Sequence, residues 1–217
     1  MDIKIRKKDL FLAILAGELA AMLSFPILKN LKIFSILSEY GIEAVSFSIF
    51  WIFFVPIGAI TALYFFYFIA RYKNQVGFFE LGKYGIVGVL NTMLNAGIYN
   101  FLIFVTDIAS GFTIDIFFVI AFVMTVTNSF FWNKFWAFTE KKIENIKREA
   151  IQFFVISAVV AMVNAAILHI IINTIGAPSG VDQKVWANVA LGFTIITAFL
   201  GNFFSYKYIV FSSKNGD

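Results

Sequence analysis

Six apolar runs dominate the sequence: Leu10–Leu28, Phe47–Ala70, Tyr84–Val105, Ile114–Phe131, Ile151–Ile175 and Val185–Phe204, each at least 18 residues long. About 20 helical residues cross the hydrocarbon core of a bilayer, so each run is long enough to span it. Backbone amides in lipid must be satisfied within their own segment or in a closed barrel. The runs lack the ten-residue alternation of barrel strands, so they predict helices. Only 14% of residues are charged, against roughly a quarter in soluble domains. The expected fold class is therefore an all-α membrane protein with six transmembrane helices.

The basic residues orient that arrangement. Of the seventeen Lys and Arg, only Lys29, Lys32 and Lys184 fall in the connections on one side; the other fourteen fall on the opposite side. The positive-inside rule then puts both termini in the cytoplasm; the expected location is the plasma membrane. The basic start, "KIRKKD", followed by an apolar stretch has the outline of a signal peptide. Glu18 within that stretch, and its continuation through Pro26 to Leu28, favour a retained span. The outer connection 29–46 reads either as an interfacial amphipathic helix or as a loop.

The last four spans form two copies of one unit. "KYGIVGVLNTMLNAGIYNFLI" lies over "QFFVISAVVAMVNAAILHIII" at an offset of 69, matching Met93 with Met162, Asn95 with Asn164 and Ile98 with Ile167. Farther along, Phe130, Phe131, Lys134 and Phe138 match Phe203, Phe204, Lys207 and Phe211 at an offset of 73. A unit of two spans returns the chain to its starting side. The copies are therefore parallel, related by an axis along the membrane normal.

Each copy closes on an aromatic collar around one lysine, "NSFFWNKFWAF" and "NFFSYKYIVF". A lone lysine among aromatics anchors a helix at the interface. Two of them at the same depth would also suit a lipid phosphate, with Asn128 and Asn202 as hydrogen-bonding neighbours and Trp136 inside the first collar. In the third span Gly85, Gly88, Thr92, Asn95 and Tyr99 recur at helical spacing on one face, and Ser157, Ala161 and Asn164 are their counterpart in the fifth. Such a face either packs helices or lines a polar path. Glu18 lies about 12 Å into the first span, where a carboxylate must be protonated, paired or turned to a cavity. Ala13, Gly17 and Ala21 beside it suit close helix packing. His169, near the outer end of the fifth span and opposite Asn100 in the repeat, suits a hydrogen bond or an interfacial position.

No metal-ligand spacing, paired-carboxylate cluster, nucleophile motif or phosphate loop is present, and the longest cytoplasmic connection, Thr139–Glu149, is too short for a domain. The sequence therefore predicts a non-enzyme without cofactor or metal, and nothing in it points to nucleic acid.

Residues 78–213 resemble the GtrA-like family of small membrane proteins. The resemblance rests on "GKYGIVGVLNTMLNAGIY" (82–99), "SFFWNKFWAF" (129–138) and "NFFSYKYIVF" (202–211). It departs at Ser129, where the family's Asn is displaced to Asn128, and at Ile209, where Trp is usual. The family typically has four spans, which leaves residues 1–77 as an additional two-helix segment before a four-helix domain at 78–217. The resemblance implies a role in cell-surface polysaccharide or glycoconjugate synthesis: moving a polyprenyl-phosphate-linked sugar across the membrane, or supporting the glycosyltransferase that makes or uses it. Read with it, the residues assign lipid-phosphate binding to Lys134, Lys207, Asn128, Asn202 and Trp136. A translocation path follows Thr92, Asn95, Asn164 and Glu18. The expected partners are a polyprenyl-phosphate glycolipid and membrane lipids; a membrane glycosyltransferase and a second copy of the chain are compatible with the same reading. The alternatives are a non-transporting scaffold, for which the charge run 139–149 matters most, and a small-solute transporter using Glu18.

Overall fold

The computed structural model describes residues 3–137 and 146–205, and among these every regular element is helical. The helices are α1 (Lys7–Asn30), α2 (Ile33–Glu39), α3 (Ala44–Lys73), α4 (Val76–Thr106), α5 (Phe112–Trp132), α6 (Ile146–His169) and α7 (Gln183–Ser205). Both α5 and α6 run on into wider π-helical turns, Asn133–Ala137 and Ile170–Ile175. Among the described residues, five segments are long and apolar enough to cross a membrane: Lys7–Asn30, Ala44–Lys73, Val76–Thr106, Phe112–Ala137 and Ser157–Ile175. The chain is thus a multi-pass membrane protein. The connection 29–46, a helix or a loop on sequence alone, holds the short α2, none of whose residues is buried.

Tight turns set the helices side by side. Asn74 takes a left-handed conformation (φ 51°) at the end of α3, and α4 begins two residues later. Asn tolerates that conformation better than most residues because its short amide can bond locally. Asp107 does the same at the end of α4 (φ 60°).

Contacts fix the helix directions. Asp9 meets Lys83 and Asn30 meets Asn100, so α1 and α4 run parallel. Ser24 meets Trp51, so α1 and α3 are antiparallel. Asn91 meets Asn128, Asp115 meets His169 and Asn164 meets Thr197, so α4 through α7 alternate in direction. One end of the molecule, the clasp end, gathers Asp9, Lys83 and Trp136. The other, the amide end, gathers Asn30, Asn100 and Asn188.

Two cores share α4. The first joins α1, α3 and α4 through Ala13, Ala16, Ala20, Leu63, Val87 and Leu90, with Trp136. The second joins α4 to α5, α6 and α7 through Tyr99, Ile103, Ile114, Phe118, Leu168 and Leu191. The first depends on small residues. A Cβ added at Gly17 would stand 2.5 Å from Pro56 Cα, and one added at Gly97 would stand 2.5 Å from the Leu23 carbonyl oxygen. Lipid gives helices no hydrophobic drive to associate, so such close backbone approach is a main source of packing energy. Ala13, Gly17 and Ala21 are buried, as their spacing predicts.

Candidate functional site

Three groups of polar side chains lie between the helices. The clasp is built on the first turn of α1. Asp9 is the third residue of that helix, where a carboxylate reaches back to the free amide of the residue capping it. Its Oδ2 accepts the Arg6 backbone N–H at 2.9 Å. Its Oδ1 accepts the Lys83 ammonium at 2.8 Å and the Trp136 indole N–H at 3.1 Å. Asp9 is completely buried, and Lys83 and Trp136 are only 3% and 2% exposed. The Lys83 ammonium also lies 4.3 Å from the Phe79 ring centre. Removing two charges from water costs several kcal/mol for each ion, so the pair survives only because donors surround the carboxylate. The clasp ties α1, α4 and the π-helical turn after α5 to one buried charge.

The amide network closes the other end. The Asn30 side-chain amide donates to the Asn100 backbone oxygen at 2.9 Å and to Asn100 Oδ1 at 2.8 Å. Asn100 Nδ2 donates to Asn188 Oδ1, and Asn188 Nδ2 donates back to Asn100 Oδ1, both at 2.7 Å. Asn100 is completely buried and Asn30 nearly so. The network joins α1, α4 and α7 without any charge. Two surface ion pairs reinforce it: Lys32 to Asp182 at 2.8 Å and Lys184 to Asp107 at 2.6 Å. Beside them an open polar cleft of about 600 Å³ is lined by Asp107, Ser110, Asp182, Gln183 and Lys184.

The third group bridges α5 and α6. His169 Nδ1 lies 2.5 Å from Asp115 Oδ2, with side chains 50% and 15% exposed. Asn173, one turn on, bonds to the backbone of Gly111 at the start of α5. The Tyr99 hydroxyl and Asp115 Oδ1 are buried with no hydrogen-bond partner among the described residues.

The residues singled out from the sequence are dispersed among these groups. Trp136 is buried in the clasp, its N–H given to Asp9. Asn128 donates to Asn91 at 2.8 Å and is the polar wall of an apolar groove of about 370 Å³ between α1, α4 and α5, lined also by Leu19, Met22, Leu90 and Leu94. Glu18 is half-buried on α1, next to groove residue Leu19. Lys83 and Gly97 stand 74 positions after their α1 neighbours Asp9 and Leu23, which puts Glu18 at the height of Thr92.

Thr92 donates to the Gly88 carbonyl at 3.0 Å and Asn95 is half-buried, while Gly85 and Gly88 have open space where a Cβ would point. The face is packed at Tyr99 and open toward the clasp end. Asn164 is buried on α6 and accepts from Thr197. No hydrogen bond joins Thr92, Asn95 and Asn164 to one another among the described residues. Lys207 lies outside the described residues, and only the backbone of Lys134 and Asn202 is described.

Sequence reasoning missed Asp9, Lys83, Asn30, Asn100, Asp115 and Asn188 as interacting groups. Asp9 and Lys83 look like flanking charges, and nothing local says they meet. A usable signal did exist for the others. The offset of 69 pairs Asn100 with His169, and the offset of 73 pairs Asp115 with Asn188. The contacts Asn100–Asn188 and His169–Asp115 thus join positions that the two sequence offsets match.

No curated protein and no solved structure matches the chain. The family described as GtrA/DPMS, transmembrane domain, matches residues 83–211, more than half of the sequence and nearly all of the bundle from α4 onward. This chain therefore belongs to the GtrA/DPMS transmembrane-domain family, whose membership points to glycolipid- or sugar-related translocation.

Proposed function

We propose that the chain moves a polyprenyl-phosphate-linked sugar across the cytoplasmic membrane for glycoconjugate synthesis, without catalysing a reaction. The family match over the four-helix bundle carries the reading. In it, six helices cross the membrane, the clasp end faces the cytoplasm, and α4–α5 and α6–α7 are parallel copies. The matched positions of the two inter-unit contacts support that symmetry.

Lys134 and Lys207 attract the lipid phosphate at headgroup depth as point charges. Lys134 belongs to the same π-helical turn as Trp136, and so to the clasp end. The polyprenyl chain stays in lipid along the apolar groove, whose polar wall is Asn128. The sugar passes the open face of Gly85, Gly88, Thr92 and Asn95, at the height of Glu18.

The test is binding of a polyprenyl phosphate to the protein in nanodiscs, compared with the Lys134→Gln/Lys207→Gln double variant. Saturable binding that the double variant loses is expected. Equal binding by both proteins, or none by either, would reduce the collars to membrane anchors and favour a scaffold for a glycosyltransferase.

A further inference from the structure

The two contacts between the repeated units occupy positions that the two sequence offsets match but are built oppositely. Between α4 and α7 the contact is neutral and largely buried, and Asn30 of α1 adds two further hydrogen bonds to it. The Lys32–Asp182 pair, from the α1–α2 turn to the residue before α7, adds a second strap. Between α5 and α6 the contact is an acid–imidazole pair, with the His169 side chain 50% exposed, beside two hydrogen bonds between the Asn173 side chain and the Gly111 backbone. No hydrogen bond from α1, α2 or α3 reaches that pair among the described residues. A hydrogen bond with one half-exposed partner contributes only a modest net free energy, so parting it costs little. Separating a buried amide network strands polar groups in an apolar setting, which is costly.

Two details mark the α5–α6 seam as the side that moves. The π-helical turn Ile170–Ile175 begins directly after His169, and such turns recur at functional positions in helices. Asp115 Oδ1 and the Tyr99 hydroxyl lie in the same half of the molecule, buried and without partners among the described residues. Water admitted by a parting seam would satisfy both, so the opened arrangement regains part of what it loses.

We infer that the bundle opens laterally at its amide end along the α5–α6 seam, with Asp115–His169 as the latch and the α4–α7 side held shut by α1. The proposal rests on the translocation reading and explains what the N-terminal helices do. They brace one seam so that the other is the gate. A headgroup leaving the bundle passes between α5 and α6 while its hydrocarbon chain remains in the adjoining lipid.

The chain has no cysteine, so introduced thiols are unambiguous. The Asp115→Cys/His169→Cys variant places a thiol pair across the gate. Asp107→Cys/Lys184→Cys places one across the braced seam at the same end, where the native side chains are 83% and 31% exposed. Both are joined by a reducible bis-thiosulfonate linker, because Asp and His side chains hold the backbones farther apart than a disulfide spans. Transport of a fluorescent polyprenyl-phosphate sugar into liposomes is then measured before and after reduction.

Linking 115 to 169 should lower transport at least about tenfold, with recovery on reduction, while linking 107 to 184 should change it less than about twofold. Undiminished transport with 115 linked to 169, or equal loss with 107 linked to 184, overturns the gate. If the reduced proteins move no glycolipid, the translocation reading fails instead, and spin labels at the same positions decide the gate. A second, longer distance for 115/169 and a single distance for 107/184 support it; matching distributions overturn it.

Discussion

The clasp end and the amide end join the same helices, α1 and α4, by opposite chemistry. At the clasp one carboxylate, completely buried, gathers an ammonium, an indole N–H and a backbone N–H. At the amide end three asparagines share neutral hydrogen bonds across α1, α4 and α7. A buried charge demands its partner almost absolutely, whereas an amide network loses one bond at a time. The difference assigns the ends different mechanical roles. The clasp sets where α1 lies along α4; under the proposed gate, the amide end decides which neighbours stay with α4.

The strongest way to break the comparison is at Lys83. Lys83→Met leaves the buried Asp9 charge with only the longer contact to the exposed Arg6 guanidinium at 3.4 Å, and the stability loss should be about 3–5 kcal/mol. Asp9→Asn should cost a similar amount by stranding the ammonium. The Asp9→Asn/Lys83→Met double variant should recover much of the loss, because neither charge then remains. Thermal unfolding of the detergent-solubilised protein gives the cycle. Additive losses would mean that the two side chains do not act as a pair, and the clasp would reduce to packing around Trp136.

The amide end should respond less. Asn100→Ala removes the hub of the network and leaves Asn30 and Asn188 short of partners, at about 1–3 kcal/mol. Asn188→Ala should cost less, since that side chain is only half-buried and keeps water within reach. A reversed order would show that Asn188, and with it α7, is the true centre. Neither substitution should alter unfolding as much as Lys83→Met, which is the contrast between the ends stated as a ranking.

Helix existence was legible because lipid simplifies the problem: an apolar run of membrane length has few options beyond a helix. The small-residue row at Ala13, Gly17 and Ala21 already marked a packed face. The partners across helices were not legible. Asp9 and Lys83 are 74 positions apart and join only because α1 and α4 run parallel in register. Trp136 shows the same limit. In sequence it belongs to a collar that suits an interface; in the fold a π-helical turn carries it inward to a buried acid. The face of Gly85, Gly88, Thr92, Asn95 and Tyr99 was legible as a face but not as one open at one end and sealed at the other. Periodicity records which residues share a side of a helix, not what stands opposite.

The smallest effect sharpens the comparison on the surface of the amide end. The Lys32 ammonium, 2.8 Å from Asp182, holds that carboxyl below its usual range, helped by the Lys184 backbone N–H at 2.9 Å. A carboxyl whose folded pKa lies below its unfolded value adds stability above the unfolded pKa and loses it as pH falls through the folded one. The gain of the wild type over Asp182→Asn should therefore be full at neutral pH and fade below about pH 4, the unfolded carboxylate range. With the two side chains 57% and 36% exposed, it should not exceed about 1 kcal/mol and should shrink in high salt. Thermal unfolding of both proteins across pH, at low and high salt, measures it. A gain that persists in acid or ignores salt would show that Asp182 acts as a turn former before α7. The strap joining the α1–α2 turn to α7 would then lose its electrostatic half, and the brace on the α4–α7 seam would rest on the asparagines alone.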